Sequence, residues 1–237
     1  MTDDAPLVNR RVYRLVRAAV VLVLSGIIVA GFLGTIPKLD ILEQSARNLY
    51  FHVPMWFTLM VATLVSAYHS VRYLQTGHRL RDIRAREAAW MALLFGLLGI
   101  VTGMVWARFT WYVGSGKWWN FDPKQSMAAV LLLIYGAYFV LRDSIKNADT
   151  RARIAAVYNL FAVVTMPFLL YIIPRQLPSL HPGGEGSPAF SQTDLAPAMR
   201  WIFYPSVLGF IGLFWLLYTQ RVRLAWLYER LRDEPEL

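Results

Sequence analysis

Four histidines are the residues of this chain best suited to bind a metal ion, because the chain contains no cysteine. They are His52, His69, His78 and His181. Neutral imidazole is the commonest protein ligand of transition metals. The absence of cysteine excludes disulfides, thiol redox chemistry and thiolate metal sites. Any metal chemistry of this protein therefore depends on one or more of these imidazoles.

Tryptophan is concentrated in one short part of the chain. Of the nine tryptophans in the sequence, several lie close together, at Trp106, Trp111, Trp118 and Trp119. Phe121 follows them, and Arg108 and Lys124 lie beside them. An aromatic belt at a membrane surface would be spread over all helix ends, so this concentration favours a ligand-binding surface. Flat indole rings suit the faces of a flat, apolar, conjugated ligand, and the two cations could pair with its carboxylates.

The elements that must position these residues are long apolar helices. Hydrophobic residues make up 57% of the 237 positions and charged residues only 16%, which is far from the composition of a soluble domain. Apolar runs long enough at ~1.5 Å per residue to cross a ~30 Å hydrocarbon layer recur along the chain. They lie at 16–33, 53–73, 88–106, 125–141, 154–173 and 201–218. We therefore predict an all-α membrane protein in which residues 1–237 form a single domain of six transmembrane helices.

The placement of the basic residues predicts the orientation of these helices. Most of the 24 arginines and lysines lie before the first span, between the second and third, between the fourth and fifth, and after the sixth. The positive-inside rule then places both termini in the cytoplasm. The net charge of +9 is accordingly assigned to topology and to contact with membrane lipid, not to binding of nucleic acid.

Three segments are expected on the opposite, periplasmic side of the membrane. Segment 34–52 has the apolar spacing of a short amphipathic helix. Segment 107–124 holds most of the tryptophan cluster. Segment 174–200 is rich in glycine and proline, a composition that opposes regular structure. Each segment is too short to form a domain, so all three are expected to rest on the helix bundle.

The histidines divide between the two sides of the predicted membrane. His52 and His181 fall in periplasmic segments, whereas His78 falls on the cytoplasmic side. His69 would lie roughly 25 Å along a helix from His52, so those two cannot share one site. We therefore predict that His52 and His181 form a pair of axial imidazole ligands to the iron of a heme.

Several runs of residues resemble the WWD-domain proteins that handle heme in cytochrome c biogenesis. WARFTW at 106–111, followed by WWNFDPK at 118–124, is similar to their WWD signature. YFHVPMW at 50–56, preceded by Arg47, resembles the segment that holds the first histidine of the heme exporter protein C (CcmC) family, and Leu180 with His181 resembles the second. The number of spans and the order of histidine, WWD segment and histidine also match that family across nearly the whole chain.

This copy of the signature departs from the family pattern at individual positions. Ala107 stands at a usual glycine, Phe121 at a tryptophan, Lys124 at an arginine and Ser126 at a threonine. Phe121 keeps an apolar face but has no indole N–H. Lys124 keeps the positive charge but has no bidentate fork. The charge and the aromatic character of the signature are therefore retained.

The resemblance implies a heme-delivery protein and not an enzyme. Heme b would be bound transiently at the periplasmic face, with its edge against a WWD-like loop at approximately 107–124 and with His52 and His181 as axial ligands. The heme-binding residues that it implies are Trp106, Arg108, Trp111, Trp118, Trp119, Phe121, Asp122 and Lys124.

The same resemblance implies a set of partners. Heme would be passed to a membrane-anchored heme chaperone, and the chain would associate with ABC-transporter subunits and a small single-span subunit. The sequence contains no P-loop, so ATP hydrolysis would belong to those partners.

Two other classes of function are alternatives at this stage. A heme lyase that attaches heme to apocytochrome c, or a metal-dependent hydrolase, would need further polar groups at one face. Asp122 and Glu185 are the candidate carboxylates, although neither has metal-ligand spacing from a histidine. Asp122, directly before Pro123, also fits the start of a helix. A membrane electron-transfer cytochrome would need paired histidines within its helices, and His52 with His69 is the only such pair.

Overall fold

The computed structural model describes residues 9–37, 42–111, 117–181 and 195–233, and the regular structure within these ranges is helical. Its elements in chain order are α1 (Arg10–Leu33), a 3₁₀ helix (Glu43–Asn48), α2 (Leu49–Thr76), α3 (Arg79–Thr110), α4 (Pro123–Ser144), α5 (Ala148–Pro167), a π-helical turn (Phe168–Ile172), α6 (Ile173–Arg175) and α7 (Pro197–Asp233). Within the described residues, 6 helical stretches are long and apolar enough to cross a membrane. The predicted number of spans is therefore confirmed.

A tight turn joins α2 to α3 and makes them an antiparallel pair. Gly77, which has a positive φ of 66°, ends α2 and donates its backbone N–H to the carbonyl of Tyr73. This left-handed backbone is costly for residues other than glycine. His78 then begins α3 by accepting a hydrogen bond from the backbone N–H of Leu80. His78 thus has a structural role at this turn.

The bundle has two chemically different ends. We call the end that holds the Gly77 turn the arginine end, because α3 begins there and α7 ends there with arginines at 79, 81, 84 and 86 and at 221, 223, 230 and 232. We call the other end, where α2 begins and α6 ends, the histidine end. The segment predicted to hold a short amphipathic helix lies at this second end. It forms the 3₁₀ helix Glu43–Asn48, which buries Ala46 and continues directly into α2; residues 38–41 lie outside the described part.

Glycines on α3 allow its close packing against neighbouring helices. A β-carbon built at Gly96 would lie 2.3 Å from Leu132 and 2.7 Å from Leu59. Real side chains do not approach this closely, so position 96 has no room for a larger residue. This packing aligns the His52 end of α2 with the last turns of α3.

Buried polar contacts tie the helices together towards the arginine end. Asn159 on α5 donates from its amide nitrogen to the hydroxyls of Ser66 and Ser70 on α2, at 2.7 and 2.8 Å. The guanidinium of Arg142 on α4 forms two hydrogen bonds with the carboxylate of Asp82 on α3, at 2.7 and 2.8 Å. Two-pronged arginine–carboxylate contacts of this kind fix both partners in position.

Candidate functional site

The structure brings together two of the four histidines. His52 lies in the first turns of α2, and His181 follows α6 after a short irregular stretch. The ring centroids of His52 and His181 are 6.4 Å apart, with an angle of 38° between the ring planes. His69 lies towards the arginine end, where its Nδ1 is 3.4 Å from a guanidinium nitrogen of Arg81. The pairing predicted from the sequence is therefore present as a contact, and His69 is not part of it.

The distance between these two rings suits one metal ion between them. A metal–imidazole bond is ~2.0 Å long, and about 1.1 Å more separates the bonded nitrogen from the ring centre. Two axial imidazoles therefore place their ring centres roughly 6 Å apart. In the described residues, no group of three or more His, Cys, Asp or Glu side chains could by itself hold a metal ion.

Thr102 on α3 orients the imidazole of His52. The Nδ1 atom of His52 lies 3.0 Å from Oγ1 of Thr102. That hydroxyl donates its single proton to the carbonyl of Leu98 at 2.8 Å or of Gly99 at 3.0 Å. With its proton on either carbonyl, the hydroxyl accepts from His52, so that Nδ1 carries the ring proton and Nε2 keeps a free lone pair. This is the tautomer that a metal ligand needs, with a second contact that fixes the ring.

The neighbouring glycine of α3 makes space for the same ring. A β-carbon at Gly103 would lie 2.8 Å from Cε1 of His52. One at Gly99 would lie 2.9 Å from the indole of Trp56. The imidazole and the indole therefore occupy recesses on the α3 surface that only glycine leaves open.

Two tryptophans of the predicted cluster form walls around the histidine pair. Trp106 meets His52 edge to face, with ring centroids 5.9 Å apart, and Trp111 meets His181 in the same way at 6.3 Å. The indole N–H of Trp106 donates to the hydroxyl of Ser45 at 3.2 Å. Residues 107–110, predicted as part of the loop, continue α3 as a helix to Thr110, and the predicted loop residues 123–124 begin α4. Residues 112–116, which belong to the predicted WWD-like loop, lie outside the described part.

A cavity of about 190 Å³ adjoins the two histidines. Much of its wall is apolar, and includes Trp56, Met60, Met104, Trp119 and Leu170. Its cationic side chains are Lys124, at the start of α4, and Arg175, at the end of α6. Lys124 was predicted from the sequence, whereas Arg175 was not, because nothing in its local sequence distinguishes it from an interfacial arginine.

Other predicted site residues are not among those that line this cavity. Trp118 and Phe121 are 48% and 82% exposed. The guanidinium of Arg108 lies over the ring of Trp118, 4.9 Å from its centroid, so these two side chains contact each other. Phe121 has a positive φ of 54°, which is unusual for a residue with a bulky side chain. Together they form an exposed aromatic surface beside the cavity.

Asp122 anchors the segment that carries His181. Its buried carboxylate caps α4 by accepting the backbone N–H of Lys124 at 2.9 Å. It also accepts the hydroxyl of Ser179 at 2.9 Å and the backbone N–H of Leu180 at 2.7 Å. The Ser179 oxygen in turn accepts the backbone N–H of His181 at 3.1 Å. Asp122 was predicted to bind the cofactor, but it is not among the cavity residues and instead links the start of α4 to the His181 segment.

Comparison with known proteins shows the family of this chain. The family model described as heme exporter protein C matches residues 4–235. The chain belongs to the heme exporter protein C family. Heme exporter protein C of Paracoccus denitrificans is 26% identical over 186 residues, which cover 76% of this chain and 72% of that protein. The protein of the same name from Rhodobacter capsulatus is 30% identical over 159 residues, which cover 62% of this chain and 61% of that protein.

A more distant likeness connects this family member to a second group of proteins. Cytochrome c biogenesis protein CcsA of Prochlorococcus marinus is 35% identical over 80 residues. The match covers 32% of this chain and 24% of that protein. The likeness is therefore limited to one part of each chain.

Proposed function

We propose that this chain binds heme b transiently between His52 and His181 and delivers it to a recipient during cytochrome c maturation, without enzymatic activity of its own. The observation that carries the proposal is the 6.4 Å separation of the two imidazole centroids. The Thr102 contact supports it, because that contact leaves Nε2 of His52 as the free nitrogen. The names of the relatives, heme exporter protein C, support heme as the ligand.

The composition of the cavity supports a porphyrin as the group that surrounds the metal. Its wall combines apolar and aromatic side chains with the cations Lys124 and Arg175. Heme carries two propionate carboxylates on an otherwise flat and apolar ring, so we assign the propionates to these two cations. The cavity of about 190 Å³ is smaller than the ~300–1,000 Å³ of pockets that enclose a ligand. The heme edge would therefore protrude, which suits a site that gives its ligand away.

Release would begin on the His181 side of the metal. His52 belongs to a long helix, whereas the irregular segment before His181 is anchored by the hydrogen bonds of Ser179 and Leu180 to Asp122. Opening a few such bonds costs less than moving a packed helix. Removing heme should therefore increase the hydrogen-exchange rate more at residues 176–181 than in α2. Equal protection of the 176–181 segment with and without heme would contradict this order of release.

The proposed partners follow from the resemblance and from the membrane fold. They are a membrane-anchored heme chaperone as recipient, ABC-transporter subunits that hydrolyse ATP, and a small single-span subunit. The histidine end would face the periplasm, with both termini on the cytoplasmic side of a bacterial inner membrane. The arginines gathered at the opposite end support this orientation.

An absorption spectrum of the detergent-purified protein tests the main proposal. After addition of hemin and reductant, the wild-type chain should give the low-spin spectrum of a bis-imidazole heme. His52→Ala combined with His181→Ala should abolish that spectrum. His69→Ala is the matched control and should leave it unchanged, since His69 lies towards the arginine end. An unchanged spectrum in the double variant would disprove the axial-ligand assignment.

A heme lyase is the second candidate function, and the partial likeness to protein CcsA favours it over an electron-transfer cytochrome. All four histidines are among the described residues, and the only histidine pair whose rings are in contact there is His52 with His181. Reconstitution with an apocytochrome c separates the two functions. Covalent attachment of heme by this chain alone would favour the lyase, whereas transfer without attachment would favour delivery.

A further inference from the structure

A cluster of hydrogen-bond donors lies at the arginine end, away from the histidine pair. It consists of Arg81 and Arg84 on α3, His69 on α2 and Tyr218 on α7. Nδ1 of His69 is 3.4 Å from a guanidinium nitrogen of Arg81. Electrostatic interaction links Arg84 with Arg81 and with Tyr218. Three helices therefore bring two cations and a phenol to one place.

Two of these donors are buried and have no acceptor within the described residues. Nε of Arg84 and the hydroxyl of Tyr218 are both shielded from solvent and form no hydrogen bond. Tyr218 as a whole is buried, with 8% of its surface exposed. Buried polar atoms are nearly always paired in folded proteins. Two unpaired donors beside two guanidinium groups are suited to bind an anion.

The acidic side chains packed nearby already have partners. Both carboxylate oxygens of Glu87 are engaged, one by Arg86 and the other by Arg221. Asp82 is paired with Arg142. Within the described ranges, Arg84 has no carboxylate at ion-pair distance. Among the described residues, these carboxylates are therefore engaged by arginines outside the cluster.

We infer that Arg81, Arg84 and Tyr218 form a binding site for a phosphoryl anion, namely the headgroup of an anionic phospholipid. Arginine and tyrosine donors are the groups that recognise phosphate oxygens. The site adjoins lipid-facing surface, because Tyr68, next to His69, is 55% exposed and Leu64, one turn away, is 56% exposed. Acyl chains can lie along that surface while the headgroup contacts the donors. Basic pockets between transmembrane helices bind anionic headgroups in this way.

Thermal unfolding of the delipidated protein in detergent, titrated with defined additives, tests the inference. The additives are phosphatidylglycerol, diacylglycerol with the same chains but no phosphate, and inorganic phosphate. Phosphatidylglycerol should raise the melting temperature, and diacylglycerol should not. Arg84→Gln should weaken the apparent affinity for phosphatidylglycerol by about tenfold, which is the size expected for a charged contact. Arg153→Gln removes an exposed arginine at the same end and should leave that affinity unchanged.

Tyr218→Phe keeps the inference testable if Arg84→Gln does not fold, because it removes only one hydroxyl. It should also weaken phosphatidylglycerol binding. Equal affinity of the wild type, Arg84→Gln and Tyr218→Phe would overturn the site. In a further outcome, inorganic phosphate stabilises the protein as much as phosphatidylglycerol does and competes with it. That result would overturn the lipid assignment and identify the ligand as a soluble phosphoryl group. The heme spectrum is measured separately, so failure here leaves the proposed function untouched.

Discussion

The two ends of the bundle use polar residues in opposite ways. Towards the arginine end, Asp82 is paired with Arg142, Glu87 with Arg86 and Arg221, and Asn159 with two serines. At the histidine end, Lys124 and Arg175 face a cavity, and the His181 segment depends on Asp122. Pairing between side chains fixes helix positions, whereas polar groups left facing a cavity remain available to a ligand. Apart from the Arg81, Arg84 and Tyr218 cluster inferred above to bind a lipid headgroup, the paired residues of the arginine end hold the bundle together, and the cavity at the histidine end is the proposed heme site.

Breaking the Asp82–Arg142 pair should have the largest effect on stability. Asp82→Ala leaves the buried guanidinium of Arg142, 4% exposed, without its counter-ion. Removing one partner of a buried ion pair costs ~3–5 kcal/mol of unfolding free energy. Unfolding in detergent should show this loss, while heme bound per folded molecule stays constant. Glu229→Ala, which breaks a more exposed pair with Arg79, is the control and should cost less than ~1 kcal/mol. Loss of heme from folded Asp82→Ala protein would contradict the division between the two ends.

Filling the recess at Gly103 should have the largest effect on heme binding. In Gly103→Ala, the new β-carbon would lie 2.8 Å from Cε1 of His52 and would displace the imidazole. Overpacking of this kind costs ~1–3 kcal/mol, and we expect the low-spin spectrum to be lost. Gly136→Ala is a matched control, because a β-carbon there meets nothing within 4 Å. A normal spectrum in Gly103→Ala would mean that the position of His52 is not critical.

Removing the charge of Asp122 should weaken heme binding through His181, one of the two proposed axial ligands, and not through His52. Asp122→Asn keeps the size of the side chain but weakens its contacts with Ser179, Leu180 and Lys124. Hydrogen bonds to a charged group contribute ~1.5–3 kcal/mol. We expect a shift from six-coordinate low-spin to five-coordinate high-spin heme, with His52 still bound. Asp143→Asn, at an exposed position near the end of α4, should not change the spectrum. Complete loss of heme would instead show that Asp122 supports the whole site.

Removing the hydroxyl of Thr102 should lower heme affinity without unfolding the protein. Thr102→Val takes away the acceptor for Nδ1–H of His52. Loss of such a supporting contact typically lowers metal affinity ~10–100-fold. Titration with hemin should show this change, and Thr102→Ser, which keeps the hydroxyl, should restore most of the affinity. Equal heme affinities of the valine and serine variants would show that the hydroxyl at position 102 does not support heme binding.

Replacing single tryptophans should have the smallest effect, and the two neighbours should differ. Trp119 lines the cavity, whereas Trp118 is 48% exposed and contacts Arg108. Trp119→Ala should weaken heme retention by the ~1 kcal/mol of one aromatic contact, and Trp118→Ala should weaken it less. Competition for bound heme by apomyoglobin measures both. A larger effect of Trp118→Ala than of Trp119→Ala would indicate that the heme edge contacts the exposed aromatic surface instead.

The sequence was sufficient to predict the helices and the histidine pair. Apolar runs predict spans because the hydrocarbon layer sets their length, and basic residues marked which loops share a side. Thr102, Gly103 and Arg175 could not be found in this way. The Thr102 contact joins positions 50 residues apart in sequence, and it exists only because α2 and α3 pack in one register. Asp122 was predicted as a site residue. Its hydrogen bond with the backbone of Leu180 could not be predicted, because it forms only where the folded chain brings Leu180 back to the start of α4.

The recess at Gly103 restricts how this family can vary in sequence. The proposed heme ligand His52 and the lack of a side chain at Gly103 depend on each other, because a β-carbon at position 103 would lie 2.8 Å from the imidazole. A mutation to a larger residue at 103 would remain viable only with a compensating change at 52. Among relatives that bind heme through this histidine, we expect position 103 to stay glycine. Relatives that have lost the histidine should be free to vary there.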